Sequence, residues 1–383
     1  MIQQHTYHFP TDIRFGAGVI KELPDYLKKN NLSKPFIVTD PIVKDLPHFQ
    51  AIISHLESAG FEPEIFAEIQ RIPQKNDAVK GSKHYRNASC DAIISMGGGT
   101  CSTVARAIAL SIHHTRDLFD YEQRNGGEEL ITDNIPHFIT VPFTAGTGNE
   151  AARSCFISDD ETKEQKLIYS KYLIAKQVFA DPELTMNLPP NVTASTGMDA
   201  LAHNIEAFLA TGFHPMCDGI ALAGISMISS SIEKATFEPT IEARSKMLIG
   251  SLMGAVAYQK GLGIVHALAH PLSSLFEVHH GTAIATMMPY GLEFNAKGMT
   301  IQFQRIGWAM GIDIDNVQEL IDHLLELNRT LELPTNIQAF GVQPEDLENL
   351  AEMAVNDFCN ETNPKKVSKE DYIRIYRNAL HVL

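Results

Sequence analysis

The chain has no excess of positive charge, no paired cysteine pattern and no long apolar run. Its 383 residues carry 31 Lys and Arg against 46 Asp and Glu, a formal charge of −15. That balance argues against sequence-independent nucleic-acid binding, which rests on neutralising phosphates. The five cysteines, Cys90, Cys101, Cys155, Cys217 and Cys359, are odd in number and lack paired spacing. They fit a reducing compartment better than a disulfide framework. The most apolar stretch, 247–258, is shorter than the roughly 20 residues a bilayer span requires. The opening M-I-Q-Q-H-T-Y-H-F-P shows no basic segment followed by an apolar core, so no secretory signal is expected. The expectation is a cytoplasmic protein without nucleic-acid or membrane partners.

What is present reads as an ordinary globular protein, 44% hydrophobic and 20% charged. The length exceeds one typical core and predicts two domains. In the first half, 35–40, 91–96 and 137–141 read as buried strands. Helices are expected over 48–59 and from about 103 to 111. Such alternation predicts an α/β layer with a mainly parallel sheet and ligands at the carboxyl ends of its strands. The grammar changes near the prolines of 181–190, after which helices are expected over 195–210, 216–231, 241–259, 301–310, 315–330, 344–357 and 368–380. In the first of these, Met198, Leu201, Ile205, Phe208 and Leu209 form one apolar stripe, with Ser195 or Thr196 as its N-cap. The division falls at about 186: residues 1–186 form an α/β dinucleotide-binding domain, and 187–383 an all-α domain for metal and substrate.

Gly97-Gly98-Gly99-Thr100 stands where a strand hands over to a helix. Glycines there let backbone N–H groups approach phosphate oxygens at a helix N-terminus. A tight turn explains three glycines alone equally well, and the spaced Gly-x-Gly-x-x-Gly fingerprint is missing. Thr144-Ala-Gly-Thr147-Gly repeats the pattern after the next strand, and two such loops favour a dinucleotide cleft. Asp40 ends an early strand. It suits either a turn or a carboxylate that accepts from ribose hydroxyls and repels the extra phosphate of NADP.

The strongest chemical signal lies further on. Asp199 and His203 are four apart, as are His266 and His270, and His280 follows in His279-His280-Gly281. Four-residue spacing puts two side chains on one helix face. A carboxylate and imidazoles from two helices and a following loop are a donor set for zinc or ferrous iron. One such pair is common in helix cores; two pairs and a further histidine are not.

Over essentially its whole length the chain resembles the iron-containing (group III) alcohol dehydrogenases. The resemblance is carried by Ile13-Arg-Phe-Gly-Ala-Gly-Val-Ile20, G-G-G-T, T-A-G-T-G-N-E, Asp181-Pro-Glu-Leu-Thr185, T-G-M-D-A-L-A-H and the A-H-P-L…H-H-G block. It implies metal ligands at Asp199, His203, His266 and His280, and a non-ligand histidine near the nicotinamide at His270. It implies cofactor contacts at Gly98, Gly99, Thr144, Thr147 and Lys166, and at Asp40 a preference for NAD over NADP. In that family NAD(P) sits between an α/β and a helical domain, above ferrous iron or sometimes zinc, in the architecture shared with dehydroquinate synthase. The implied activity is reversible hydride transfer between a small primary alcohol, or its aldehyde, and NAD, with His270 as proton relay, in a homodimer or larger assembly. Departures from the family pattern are Thr103 in place of an Asp, Arg106 in place of a Lys, and Ile72-Pro73 in place of Asn-Pro. The rival reading is a metal-dependent sugar-phosphate cyclase, which needs basic residues for substrate phosphates; the metal-bearing half shows no such cluster.

Overall fold

The computed structural model describes residues 11–162 and 164–380. It divides into two compact units. One runs to Thr144 and resumes over Asn149–Met186; the other takes Ala145–Gly148 and the chain from Asn187 onward.

The first unit holds eight strands among the described residues: β1 (Asp12–Phe15), β2 (Pro35–Val38), β3 (Glu64–Phe66), β4 (Ala92–Gly97), β5 (His137–Pro142), β6 (Ser154–Ser158), β7 (Gln165–Tyr169) and β8 (Gln177–Ala180). Six of them form one parallel sheet in the order β1-β8-β5-β4-β2-β3, and β6 and β7 pair antiparallel as a separate ribbon. Phe36, Val38, Ile93 and Phe138 enter one core, while Ile37, Ile94, Met96, Ile139 and Val141 enter another. With both faces covered, the central strands read as unbroken apolar runs. The chain order reverses beside β4: β2 leads outward to β3, and β4 leads the other way to β5. The carboxyl ends of β2 and β4 therefore flank a topological switch point, the usual ligand position of an open α/β sheet.

The second unit is helical, as expected. Its helices include Pro190–Leu209, Pro215–Ser229, Ile241–Ala257, Ile264–Phe276 and His280–Ala296. The first begins at Pro190, five residues before the expected start, because proline is pre-organised for the first helical position. Ser195 and Thr196 do not cap it. Their hydroxyls donate back to the carbonyl of Val192, as mid-helix hydroxyls do. A second correction concerns His280, which opens the His280–Ala296 helix rather than lying in a loop. Among the described residues no single helix is long and apolar enough to cross a membrane. One apolar pair, Ile241–Lys260 with Ile264–Phe276, is bent by 108°.

The helix after β4, Gly99–His113, starts inside the glycine loop rather than near 103. It buries Arg106 completely. The guanidinium donates to the carbonyls of Leu173 (2.9 Å), Ser154 (2.8 Å), Asn149 (2.8 Å) and Ala152 (2.9 Å) and to Asn149 Oδ1 (2.9 Å). Asn149 in turn donates to Thr103 Oγ1 at 2.7 Å and to the Gly99 carbonyl at 3.2 Å. Two departures from the family pattern thus belong to one network. Beside it lies the buried Glu150, whose Oε1 has no hydrogen-bond partner. Burial pushes its carboxyl from 4.5 up to about 7, against the pull of Arg106. Between those values the folded chain keeps a proton that the unfolded chain has released. Stability therefore declines as pH rises through this window and is fully diminished above it. Urea unfolding at pH 5 and pH 8 should show the parent losing about 3 kcal/mol more than Glu150→Gln over that interval. Parallel pH dependence of the two proteins would refute the assignment.

Candidate metal centre and nucleotide site

The Pro190–Leu209 helix carries Asp199 and His203 on one face because 3.6 residues per turn align positions four apart. It is wrapped closely by small residues. A Cβ on Gly254 would lie 3.1 Å from His203 Cβ and 2.8 Å from Asn204 Nδ2. A Cβ on Gly281 would meet the Ser195 carbonyl oxygen at 2.3 Å. Gly281 thus lets the start of the His280–Ala296 helix rest on the backbone of the Asp199 helix, which brings His280 over Asp199.

Asp199, His266 and His280 converge, and His203 lies against the first two. Asp199 Oδ1 is 3.5 Å from His280 Nε2, 3.6 Å from His203 Nδ1 and 3.8 Å from His266 Nε2. His266 Nε2 and His203 Nε2 are 3.1 Å apart. A tetrahedral site with bonds of about 2.1 Å has donor–donor edges of about 3.4 Å. Among the described residues Asp199, His266 and His280 form one donor group and His270, Asp357 and Cys359 another, the ligating atoms of each lying within 4.8 Å of one another; His203 stands beside the first. Asp199 Oδ1 and His203 Nδ1 are buried without hydrogen-bond partners, lone pairs that a cation would satisfy. Burial pushes His203 down to about 4 and His266 down to about 3, so both are neutral, the ligating form, near pH 7. Burial also acts to raise the Asp199 carboxyl, but the imidazoles, His203 foremost, outweigh it and hold the group below the usual carboxylate range. The residues present fit a divalent metal.

His270 is brought near but into different company. Its ring stacks on His280 with centroids 5.4 Å apart, while Nδ1 lies 2.7 Å from Asp357 Oδ2. Burial opposes protonation of His270, yet the Asp357 carboxylate outweighs it and shifts the imidazole upward. Asp357 was not foreseen from the sequence; it is 87 residues away and has no local signal. Glu206 was also missed, although it lies on the same helix face three residues after His203. Its carboxylate receives the backbone N–H of Val265 at 2.7 Å and of His266 at 3.2 Å, and faces His266 Nδ1 at 2.5 Å. Burial raises the Glu206 carboxyl to about 7, opposed first by the Val265 N–H.

The nucleotide candidates, Thr147 excepted, belong to the α/β unit. Gly97 has φ +153, and a Cβ there would strike Cys101 Sγ at 2.3 Å; a Cβ on Gly98 would come within 3.3 Å of Thr144 Oγ1. The Gly99–His113 helix starts in this loop, and the first turn of a helix leaves N–H groups without intrahelical partners, a cradle for phosphate. The Thr100 hydroxyl donates to the Arg71 carbonyl at 3.4 Å. Across the switch point Asp40 caps the short helix Pro41–Lys44, with Oδ1 accepting from the N–H of Ile42 and Val43. Its Oδ2 accepts from the Cys101 thiol at 3.3 Å. Thr147 falls in the helical unit, unlike Thr144. Lys166, on β7, is paired with Glu122 (3.3 Å) and Glu164 (3.7 Å).

Two family models match the chain: the iron-containing alcohol dehydrogenase model over residues 10–182 and the C-terminal model of the same family over 193–380. The chain is 35% identical to 4-hydroxybutyrate dehydrogenase of Cupriavidus necator over 97% of this chain and 99% of that protein. It is 31% identical to choline dehydrogenase of Bacillus subtilis over 99% of this chain and 96% of that one. The crystal structure of a 1,3-propanediol oxidoreductase superposes with a TM-score of 0.94 at 28% identity, covering 99% of this chain and 100% of that one. With models matching both halves and relatives matching from end to end, the chain belongs to the iron-containing alcohol dehydrogenase family.

Proposed function

We propose that the protein is a metal-dependent alcohol dehydrogenase moving hydride reversibly between a small primary alcohol and NAD⁺. The observation that carries this reading is the convergence of donor atoms from Asp199, His266 and His280, with the His203 imidazole beside Asp199 and His266. The relatives' names support the substrate class, since 4-hydroxybutyrate, choline and 1,3-propanediol all end in a primary alcohol. The cyclase alternative has no support from the matching family models. Lys260, the last basic residue before His266 in sequence, is itself paired with Asp218 at 2.6 Å. A cytoplasmic location belongs to the same reading, supported by five cysteines that form no disulfide with one another.

When bound, ferrous iron or zinc supplies Lewis-acid polarisation of the alcohol or carbonyl oxygen, and the nicotinamide supplies the hydride chemistry. The chain's own part is to hold and orient. Asp199 contributes the one negative charge, and the three imidazoles complete the donor set. His270 commits Nδ1 to Asp357, which leaves Nε2 as the atom that takes or returns the hydroxyl proton. At the switch point the glycine loop presents backbone N–H groups to the pyrophosphate. The Asp40 carboxylate favours ribose hydroxyls over a 2′-phosphate.

A panel of primary alcohols and aldehydes, followed by NADH absorbance, tests the activity directly. Chelation should stop turnover, and added ferrous iron or zinc should restore it. Asp199→Ala should lose both metal and turnover; a chelated enzyme that kept full activity would end the metal reading. His270→Ala should lower kcat by about 100-fold while metal content stays near the parent value; loss of the metal would make His270 a ligand instead. Asp40→Asn preserves the helix cap and removes the charge. It should raise the NADP-to-NAD ratio of kcat/KM about tenfold or more, the effect of roughly 1.4 kcal/mol; an unchanged ratio would show that Asp40 serves only as a cap.

A further inference from the structure

Asp199, His203 and Glu206 stand at spacings of four and three on the Pro190–Leu209 helix, so one face presents all three. The first two offer donors to the metal point. Glu206, 3% exposed, reaches instead to the start of the Ile264–Phe276 helix. Its Oε1 takes the Val265 N–H, and its Oε2 faces both the His266 N–H and His266 Nδ1. The second helix is thereby anchored at its positive end by a carboxylate from the first. The same carboxylate holds the imidazole ring that the second helix delivers. A proton kept on Nδ1 by Glu206 leaves the Nε2 lone pair free, and Nε2 is the atom lying 3.8 Å from Asp199 Oδ1 and 3.1 Å from His203 Nε2.

We propose that Glu206 is a positioning residue of the metal centre: its carboxylate sets the tautomer and the orientation of His266, so that Nε2 is the ligating atom. The inference rests on the metal reading above. It follows from a general requirement, because a ligating imidazole needs its other nitrogen tied to an acceptor, and that acceptor raises its basicity. Glutamine at this position keeps the Val265 contact and replaces the acceptor that faces His266. With its amide oxygen on the Val265 N–H, its amide N–H₂ faces both the His266 backbone N–H and His266 Nδ1. A donor there forces the proton of His266 onto Nε2 and blocks ligation.

The test is zinc affinity by chelator competition, read independently of turnover, together with the visible absorption of the cobalt(II)-loaded protein. Glu206→Gln should bind zinc about 10- to 100-fold more weakly than the parent and show an altered cobalt spectrum. The metal-free forms should melt within a few degrees of each other. Parent-like affinity and spectrum in Glu206→Gln, with metal bound by the parent and lost by Asp199→Ala, would overturn the inference and leave the metal reading standing. A parent that binds no zinc would overturn both. A measurement needing no variant guards against misfolding: nitrogen-15 correlation spectra of the zinc-loaded parent should show His266 protonated at Nδ1, and protonation at Nε2 would refute the proposal.

Discussion

A carboxylate buried among neutral imidazoles is the constraint around which the helical unit is arranged. Asp199 has one oxygen with no hydrogen-bond partner, and His203 has a nitrogen in the same state. Burying an ionised group without compensation costs several kcal/mol, and opposite charge is the remedy. Burial drives His203 and His266 towards neutrality, so these two do not supply that charge near pH 7. A cation can. The packing brings these side chains together from three helices. Glycine at 254 lets a helix lie against His203, and glycine at 281 sets His280 on the backbone at Ser195. Larger residues at either place would displace donors rather than merely crowd a core.

The legible part of this arrangement was local. Four-residue spacing reports a shared helix face wherever a helix exists, so the Asp199/His203 and His266/His270 pairs could be read directly. Glu206 was legible by the same rule, since position 206 continues the face of 199 and 203. What could not be read were encounters set by tertiary packing. Asp357 meets His270 across 87 residues of chain, and Gly281 is informative only once its approach to Ser195 is known. The N-cap expectation failed because Ser195 and Thr196 are good caps in isolation, whereas Pro190 is pre-organised to start the helix earlier. The parallel sheet was foreseen from its buried central strands. The order that creates the switch point was not, because the outer strands β1 and β3 have four and three residues and carry little apolar signal.

The departures at 103 and 106 are better understood together than singly. Arg106 directs its donors to four backbone carbonyls and to Asn149, and Asn149 passes the connection to Thr103 and the Gly99 carbonyl. Thr103 accepts where an Asp would accept with a full charge, so the pair works without a carboxylate. Arg106 is thus a tie between the start of the Gly99–His113 helix and the segment 149–154, and its donors are committed to the protein. Lys166 is similarly occupied by Glu122 and Glu164. With those two cations engaged, the proposed pyrophosphate site would draw mainly on backbone N–H groups at the glycine loop and on the dipole of the helix it opens. Such a site depends on main-chain geometry, which Gly97 and Gly98 permit and the Arg106 network holds in place. It is compatible with a strongly acidic chain, and Asp40 is the carboxylate beside that loop on which the proposed NAD preference rests.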